Sequence, residues 1–390
     1  IEYYTFFVFL LFFYIKSSDL KTIYISVIND LSTDQRVART CSVWHEAGFR
    51  IILIGRRFSN SKPLERDYQV KRFRFLINKG PLFYFLYNVR LFFFLLFQKK
   101  IDVLYANDLD TLGANALISI VRRKPLIYDS HEFFLGVPEI QDKPLVKWVW
   151  RSIEKFSFPH VDRFITVNDS IAKLYSKIYK KEITVVRNMP IYKPILNPLK
   201  RFDLELPEDA FIMVMQGAGI NVNRGYEEAI HSMNFIENAL LLIIGRGDVI
   251  DDLKALVKEL KLEPKVWFLG VLPYEKMMQY TSLSDIGLTL DKDLSINYRF
   301  SLPNKLFDYI NAGIPVLGSD LPEVSKIILD YEVGIIIEDV QPVLIANAVN
   351  VFKKDADLLH KYKENCKIAS KKLNWELEQK KLNEIVKEYV

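Results

Sequence analysis

The segment from Asn297 to Val316 combines residue types that suit the binding of an anion. Pro303 can begin a helix, and Lys305 follows within its first turn. The free N–H groups at a helix start and a lysine ammonium both attract negative charge. Asp308 shares a helix face with Lys305, so its carboxylate could accept hydrogen bonds from the hydroxyls of a ribose. The segment therefore predicts either a nucleoside diphosphate site or an ordinary capped helix with a Lys–Asp pair.

A second segment, Met215–Gly225, has the composition of a ligand-binding loop. A predicted strand ends at Gly217, small residues including Gly219 follow, and Arg224 opens the next helix. Glycines allow a backbone to approach a ligand closely, and an arginine can hold phosphate oxygens with two donors. The spacing matches neither the GxGxxG fingerprint nor a P-loop, which disfavours a dinucleotide dehydrogenase and a Walker-type NTPase.

Two further turns in the second half follow predicted strands. Gly245 begins the turn GRG, and Leu272 lies in the turn GVLPY, whose backbone could contact a base. In the first half, His131 follows a strand within the run DSHE, and this context favours a site role over a structural one. A metal site at His131 and Glu132 is disfavoured because HEFFL lacks the second histidine of HExxH.

Polar residues also follow strand ends in the first half of the chain. Asp30, Arg36 and Asp108 occupy such positions and are candidate contacts for an acceptor molecule. Asp34 lies among them, but an aspartate directly before a helical pattern favours helix capping.

These residues need a scaffold, and the hydrophobic pattern predicts one. Short apolar runs such as Thr22–Val27 and Arg50–Ile54 alternate with stretches of helical spacing. Near-continuous apolar strands of this kind are typical of a parallel sheet covered by helices on both faces. The alternation stops in the proline-containing stretch 191–207 and then restarts. We therefore expect two doubly wound α/β domains, with ligands beyond the carboxyl ends of the strands in a cleft between them.

The expected domains have definite limits. The first covers residues 21–190, 191–207 is a linker, and the second covers 208–372. Residues 373–390 are expected to form a helix that crosses back to the first domain. Residues 1–20 form an N-terminal extension whose apolar run, residues 1–15, is shorter than the ~20 apolar residues of a membrane-spanning helix. It is interpreted as an addition outside the natural protein, as a membrane-touching segment, or as a piece of core.

Composition limits the class of protein. Half of the 390 residues are hydrophobic, which excludes extended disorder, and two cysteines exclude a disulfide scaffold and a Cys-based zinc site. The net charge of +5 divides into +11 for residues 1–190 and −6 for residues 191–390. We therefore expect the first half to meet something anionic.

The positive charge is concentrated in residues 56–100. Eleven Lys and Arg accompany the aromatic run 81–97 there. This region predicts either a helix packed on the sheet or an interfacial helix whose rings enter a bilayer while its cations meet anionic lipid. Nucleic-acid binding is disfavoured because the aromatic residues form one apolar block.

The order of the motifs resembles family-four retaining glycosyltransferases of the GT-B fold, which has two facing Rossmann-like domains. The runs that carry the resemblance are DQRV, YANDLDTL and DSHE in the first half, and QG…RG, IIGRGD, GVLPY and SLPNKLFDYINAGIPV in the second. The resemblance covers the chain from about Lys21 to its end, and it is most specific in the SLPNK segment, which points to a bacterial group 1 subgroup.

The resemblance implies roles for the matching residues. Arg224 and Lys305 would neutralise the donor diphosphate, Asp308 would bind the ribose, and His131 would lie at the reacting sugar. Leu272 would lie near the base. The other residues expected to bind the nucleotide sugar are Gly217, Gly219, Gly245, Ser301, Leu302 and Asn304.

Two departures separate the chain from the broader family. Where the family often has two glutamates eight positions apart, this chain has Phe300 and Asp308. The arginine that usually follows the glycine at Gly217 is replaced by Ala218. Both fit the SLPNK subgroup, and both leave the identity of the donor open.

The function that the resemblance implies is transfer of a hexosyl or acetylhexosaminyl group from a nucleotide diphosphate sugar to an acceptor hydroxyl, with retained configuration. No metal and no cofactor is expected. The expected acceptor is a lipid-linked glycan of polysaccharide or lipopolysaccharide synthesis. The expected location is the cytoplasm, peripheral on the inner face of the membrane, with contact through residues 56–100 and no nucleic-acid partner. The alternatives are a nucleotide-sugar 2-epimerase and a degenerate, non-catalytic sugar-nucleotide or glycan-binding protein.

Overall fold

The computed structural model describes two compact units of the chain. The described residues are 20–32, 34–59, 61–137, 140–193 and 199–390. The first unit contains the residues up to Arg187 together with 379–390, and the second contains 188–378. The apolar residues 1–19 and part of the predicted linker, residues 194–198, lie outside the described residues, and the predicted domain limits stay predictions.

The first unit is built on a sheet of seven parallel strands. Its strand order is β3-β2-β1-β4-β5-β6-β7. The strands are β1 (Thr22–Asp30), β2 (Arg50–Arg56), β3 (Gln69–Phe73), β4 (Val103–Asn107), β5 (Leu126–Ser130), β6 (Arg163–Thr166) and β7 (Thr184–Val185). All five residues of β4 and all five of β5 are buried, as expected for a parallel sheet covered on both faces.

Helices connect these strands. They are α1 (Gln35–Glu46), α2 (Gly80–Leu96), α3 (Leu109–Arg122), α4 (Pro144–Ser157) and α5 (Asp169–Tyr179). The carboxylate of Asp34 accepts a hydrogen bond of 3.0 Å from the backbone N–H of Val37, which confirms that Asp34 caps α1. Within the described residues, none of the helices combines the length and the apolar character needed to cross a membrane.

The second unit repeats the architecture with six parallel strands. Their order is β10-β9-β8-β11-β12-β13. The strands are β8 (Phe211–Gly217), β9 (Ala239–Gly245), β10 (Val266–Gly270), β11 (Ile286–Thr289), β12 (Val316–Ser319) and β13 (Gly334–Ile337). Its helices are α6 (Tyr226–Ser232), α7 (Ile250–Glu259), α8 (Tyr274–Leu283), α9 (Ile296–Arg299), α10 (Asn304–Ala312), α11 (Pro322–Asp330), α12 (Pro342–Lys354) and α13 (Ala356–Ser370). The last helix, α14 (Trp375–Lys387), begins in the second unit, and its residues from Gln379 onward belong to the first.

The second sheet has an apolar core on each face. Met213 and Met215 of β8 belong to one core cluster, whereas Ile212 and Val214 belong to the other. Successive side chains of a strand point to opposite faces, so a continuous apolar strand supplies both cores at once. This is why the strands read as unbroken hydrophobic runs in the sequence.

Both sheets reverse their strand order at one point. The reversal falls between β1 and β4 in the first unit and between β8 and β11 in the second. Loops leave in opposite directions there, which opens a crevice at the carboxyl ends of the strands where ligands bind in this fold. The prediction of two doubly wound parallel-sheet domains is confirmed. The sequence analysis missed β3, β7, α4 and α9, which are short, exposed or flanked by charged residues.

Gly217 and Gly245 lie in close contact at the carboxyl ends of β8 and β9, and the stability of the protein should depend on this contact. Gly245 has a positive φ of 136°, and a Cβ there would lie 1.8 Å from the carbonyl oxygen of Gly217. We expect Gly245→Ala to destabilise the protein by about 3 kcal/mol or more, which lowers the unfolding temperature by about 6 °C. Gly219→Ala is the control, because the nearest atom to its Cβ is 4.0 Å away. Equal unfolding temperatures for the two variants in a circular-dichroism melt would contradict the expected clash.

Candidate active site

Three charged side chains meet near the carboxyl ends of the strands of the second sheet. The carboxylate of Asp291 follows β11 and is 1% exposed. Its Oδ2 lies 2.7 Å from Nη1 of Arg224, and its Oδ1 lies 3.8 Å from Nζ of Lys305. The two predicted phosphate-binding residues are therefore brought together by an acid that the sequence analysis did not select.

Backbone packing positions Arg224 beside this acid. Gly225 follows Arg224 with a φ of 76°, and a Cβ at Gly225 would lie 2.4 Å from both the side chain and the carbonyl oxygen of Leu290. Only glycine allows the loop after β8 to touch the end of β11 so closely. This contact places Arg224 next to Asp291, the residue that follows Leu290.

The pKa values of Lys305 and Arg224 are shifted in opposite directions. Burial lowers the pKa of Lys305, and the charge of Arg224 lowers it further, while the Asp291 carboxylate opposes both effects. For Arg224, burial also opposes the charge, but the Asp291 carboxylate and the Tyr298 hydroxyl hold its pKa above the ordinary value. With Asp291 ionised, the cluster has two positive charges and one negative charge, and this surplus suits an anionic ligand.

Aromatic rings and a helix start complete the surroundings of the cations. The guanidinium carbon of Arg224 lies 4.5 Å from the ring centroid of Tyr298, and Nζ of Lys305 lies 5.6 Å from that of Tyr226. Lys305 is the second residue of α10, and no side chain caps the start of that helix. The free N–H groups of its first turn therefore lie beside the Lys305 backbone, where they can bind an anion.

The residues before α10 lie where the sequence analysis expects donor contacts. Ser301 and Leu302 are half-buried, and Asn304 is exposed as the first residue of the helix. The Oγ of Ser301 is buried and has no hydrogen-bond partner within the described part of the chain. A buried hydroxyl of this kind usually has a partner, so Ser301 is a strong candidate for contact with a bound molecule.

Asp308 belongs to a polar network. The hydroxyl of Tyr274 donates to its Oδ1 at 2.9 Å, and Nε2 of Gln216 donates to its Oδ2 at 3.2 Å. Gln216 in turn accepts a hydrogen bond of 2.6 Å from the hydroxyl of Thr281. The network orients the Asp308 carboxylate. Binding of ribose hydroxyls by Asp308 stays a prediction.

The two predicted glycine turns, at Gly217 and Gly245, lie side by side at the carboxyl ends of β8 and β9. Gly217 pairs with Gly245 across β8 and β9, and the carbonyl oxygen of Gly217 accepts a hydrogen bond of 3.2 Å from the N–H of Arg246. Gly219 lies in the loop between Gly217 and Arg224 with open space around it. Leu272 lies in the loop between β10 and α8 and packs half-buried against the core. Their contacts with a nucleotide stay predictions.

In the first unit, His131 lies between two carboxylates. Its Nδ1 is 3.1 Å from Oδ2 of Asp108, and its Nε2 is 3.6 Å from Oδ2 of Asp129. Asp108 also accepts a hydrogen bond of 2.8 Å from the His131 backbone N–H. Burial disfavours the charged imidazole, but the two carboxylates outweigh it and raise the pKa of His131 to about 10. His131 is therefore an imidazolium at neutral pH.

Arg36 holds the deeper of the two carboxylates. Its Nε and Nη2 donate to the two oxygens of Asp129 at 3.3 and 2.7 Å, and its Nη1 donates to the carbonyl oxygen of Val186 at 2.9 Å. Burial would raise the pKa of Asp129, but Arg36 and His131 hold it well below the usual range. All three donor nitrogens of Arg36 are thus engaged inside the unit, and contact of Arg36 with an acceptor stays a prediction that this arrangement does not favour.

Asp30 lies at the carboxyl end of β1 and has a separate set of hydrogen-bond partners. Its Oδ1 accepts hydrogen bonds of 2.9 Å from Arg72 and 3.0 Å from the backbone of Ser32, and its Oδ2 accepts one from Ser61. The structure thus brings Arg36, Asp108 and His131 together. Asp30 is instead hydrogen-bonded to Ser32, Ser61 and Arg72. An acceptor role for Asp30 stays a prediction.

Several site residues were missed by the sequence analysis. Asp291 and Asp129 are the buried partners of the predicted cations, and Gln216 and Tyr274 orient Asp308. A signal for Asp291 existed, because it follows an apolar strand directly. Among the described residues, no group of three or more His, Cys, Asp or Glu side chains is arranged to hold a metal ion.

The two halves of the chain match two glycosyltransferase families. The family described as "Glycosyl transferases group 1" matches residues 197–369, and the family described as "Glycosyltransferase Family 4" matches residues 34–189. A lipopolysaccharide core biosynthesis glycosyltransferase, LpsD of Rhizobium meliloti, is 32% identical over 102 residues, which are 26% of this chain. The chain spans 29% of the length of that curated relative.

Solved structures share the fold over nearly the whole chain. For a sucrose-phosphate synthase from Thermosynechococcus elongatus, the TM-score is 0.76 at 17% identity, and the match covers 94% of this chain and 98% of that one. For Anabaena HepE in complex with UDP, the TM-score is 0.73 at 15% identity, with coverage of 95% and 100%. For WaaG, a glycosyltransferase involved in lipopolysaccharide biosynthesis, the TM-score is 0.69 at 14% identity, with coverage of 94% and 99%.

The two Rossmann-like sheets and the similarity to these solved structures show that the chain has the GT-B fold. Each half matches a different glycosyltransferase family: residues 197–369 match the group 1 family, and residues 34–189 match family four.

The buried acid Asp291 provides a test of the cluster in the second unit. Asp291→Asn keeps the shape of the side chain but leaves Arg224 and Lys305 facing each other without a counter-charge. We expect a loss of about 3–5 kcal/mol in the free energy of unfolding of this unit, measured by urea denaturation at neutral pH.

The matched control for this substitution is Asp293→Asn. Asp293 pairs with Arg299 on the surface, with side chains 45% and 54% exposed, so its loss should cost under about 1 kcal/mol. Similar losses in the two variants would show that Asp291 does not stabilise the cations.

The imidazolium of His131 predicts a pH dependence of stability. The pKa of His131 is about 10 in the folded protein and about 6.5 in the unfolded chain. Its stabilising contribution is therefore complete below pH ~6.5, declines as the pH rises, and is lost above pH ~10. We expect the difference in unfolding temperature between wild type and His131→Gln to shrink over that range.

The control for the pH experiment is His160→Gln, at an exposed histidine of the same unit. It should leave the unfolding temperature close to that of the wild type at each pH. A wild-type advantage over His131→Gln that stays constant from pH 6 to 10 would contradict the charged state assigned to His131.

Proposed function

We propose that this protein is a retaining glycosyltransferase that moves a sugar from a nucleotide diphosphate sugar to an acceptor hydroxyl. The observation that carries the proposal is the meeting of Arg224 and Lys305 at one buried carboxylate beside the start of α10. Cations and free N–H groups held in place before the reaction stabilise the charge that grows on a departing diphosphate. The second unit is assigned to the donor for this reason.

The charges of the first unit suit a different ligand. Arg36 and His131 are balanced by Asp108 and Asp129, so this cluster has no net charge when all four are ionised. A neutral molecule rich in hydroxyls fits such a site better than an anion does. The first unit is therefore assigned to the acceptor and to the sugar that is transferred.

The charged state of His131 limits its chemical role. An imidazolium has no free lone pair, so at neutral pH His131 can donate a hydrogen bond but cannot remove a proton. We assign to it a hydrogen bond to a hydroxyl of the transferred sugar, which orients that sugar. In the proposed retaining step, the bond from the anomeric carbon to the diphosphate oxygen breaks, the acceptor oxygen bonds to the same face, and the departing oxygen takes the acceptor proton.

The donor and the acceptor are proposed from the similar proteins. Anabaena HepE has been solved with UDP and with UDP-glucose, which supports a uridine diphosphate sugar as the first donor to test. LpsD and WaaG are both named for lipopolysaccharide synthesis, which supports a lipid-linked glycan acceptor in the cell envelope. We further propose a cytoplasmic location on the inner face of the membrane, a reaction that needs no metal or cofactor, and membership of the SLPNK subgroup.

Removal of the donor-side cations tests the proposal. We expect Arg224→Ala and Lys305→Ala each to lower the turnover of UDP-glucose by a factor on the order of 10²–10³, because each removes a charge that stabilises the departing diphosphate. Lys276→Ala is the control, since Lys276 is an exposed lysine of α8. Turnover is measured as release of UDP in the presence of an acceptor, with NMR of the anomeric proton to establish retention.

The outcomes separate the alternatives. UDP-sugar conversion without any acceptor, yielding a 2-epimer, would assign the protein to the epimerases. Binding of UDP without turnover would favour the degenerate binder, which Phe300 at the usual glutamate position motivates. Full turnover by Lys305→Ala would contradict the role assigned to the cations.

A further inference from the structure

Three neighbouring helices of the first unit, α2, α3 and α4, form one layer. Nδ2 of Asn88, in the middle of α2, donates to the carbonyl oxygen of Asp110 at the start of α3 at 2.7 Å. Near their ends, Arg122 of α3 donates to the carbonyl oxygen of Leu96 in α2 at 3.0 Å. The rings of Tyr84 in α2 and Trp150 in α4 lie 5.3 Å apart. We call the solvent-exposed side of these three helices the outer face.

Helix α2 is apolar on both of its sides. Its buried side packs on the unit through Phe83, Tyr87, Leu91 and Leu95. The opposite side is exposed and consists of Leu82, Phe85, Leu86, Val89 and Phe93. A helix on the surface of a water-soluble domain normally has polar residues there. Core packing explains the first set of residues and leaves the second set, including Phe85 at 64% exposure, without a function in the fold.

The exposed apolar surface continues on the other two helices. Trp148 of α4 is 64% exposed and Leu145 is 73% exposed. The other exposed large apolar residues of these helices are Leu117, Ile120, Val121, Val149 and Phe156. Single exposed apolar residues are common on proteins, but twelve on three adjoining helices mark an interaction surface.

The charges of the outer face are all of one sign. The acids of the three helices are Asp110 and Glu154, and both are buried. The exposed charged residues of the helices are Arg90, Arg151 and Lys155. Beyond the ends of the helices, the exposed Arg123 follows α3, and the exposed residues Asp142 and Lys143 precede α4. A partner of this face must therefore be apolar in part and negatively charged.

Cations and rings lie in direct contact at one edge of the face. A cavity of about 510 Å³ between β3 and α2 is lined by Lys71, Phe73, Arg90, Phe93, Phe94 and Phe97 together with Gln98. The guanidinium carbon of Arg90 lies 4.5 Å from the ring centroid of Phe73, and Nζ of Lys71 lies 6.0 Å from that of Phe94. Cations in contact with rings at the surface suit the boundary between anionic headgroups and acyl chains.

We propose that the outer face of α2, α3 and α4 docks on an anionic phospholipid bilayer, with its rings among the acyl chains and its cations at the headgroups. The bilayer is favoured over a second copy of the chain because a symmetric contact would bring Arg90, Arg151 and Lys155 close to their own equivalents. The surface extends beyond residues 56–100, since α4 contributes Trp148, a residue type that prefers the membrane interface. This docking does not depend on the proposed sugar transfer.

The test is co-sedimentation of the full chain with lipid vesicles. We expect binding to phosphatidylcholine vesicles that contain about 30 mol% phosphatidylglycerol and weak binding to pure phosphatidylcholine. Phe85→Ser with Phe93→Ser, and separately Arg151→Glu with Lys155→Glu, should each weaken binding by at least about tenfold. All four residues are exposed, so both variants should fold, which an unchanged unfolding temperature would verify.

The controls make the same chemical changes in the second unit. They are Phe235→Ser, at a phenylalanine that is 56% exposed, and Lys254→Glu with Lys258→Glu on α7, and both should bind vesicles like the wild type. Three results would overturn the proposal: no binding to anionic vesicles, equal binding to neutral vesicles, or unchanged binding by both outer-face variants. A dimer in analytical ultracentrifugation that Phe85→Ser with Phe93→Ser dissociates would assign the face to a second copy instead. None of these readouts requires turnover, so a failure here is distinct from a failure of the proposed function.

Discussion

Each unit of this GT-B protein buries one carboxylate near the carboxyl ends of its strands, and two positive side chains meet it there. Asp291 pairs with Arg224 and Lys305 in the second unit, and Asp129 pairs with Arg36 and His131 in the first. A buried charge is costly unless it is paired, so these acids hold the cations in defined positions before any ligand arrives. The site residues of both units depend on this pairing.

The two clusters differ in what surrounds the central acid. In the second unit, the acid leaves a surplus of positive charge next to free helix N–H groups, which favours a diphosphate. In the first unit, Asp108 supplies a further carboxylate and balances His131. The addition of one acid thus gives the first cluster no net charge when all four groups are ionised, whereas the second cluster keeps a positive surplus.

The acidic and basic residues of three helices in the first unit differ in their exposure to solvent. The acids of α2, α3 and α4 are inside the first unit, whereas their cations are outside among exposed rings. A chain whose net charge is only +5 can therefore present a surface of a single sign. Local segregation of charge, rather than the total, determines which partner a surface attracts.

The sequence by itself determined the repeating α/β architecture and most of the cations and polar residues of the sites. Apolar runs with strand and helix periodicity are local signals, so the two sheets, α1 and α10 could be predicted from them. Lys305, Asp308 and His131 could be selected because each stands at a strand end or helix start within a short motif. The start of α10 after Pro303 follows from local chemistry as well.

Only the tertiary structure decided which charges meet. Asp291 lies 67 residues from Arg224 in the chain, and Asp129 lies 93 residues from Arg36. Such pairs form because the reversal of strand order brings the ends of non-consecutive strands together, a relation that no local pattern encodes. The same holds for the outer face, since an apolar helix can be packed on a core or exposed, and only the packing of α2 against the sheet shows which of its residues stay outside.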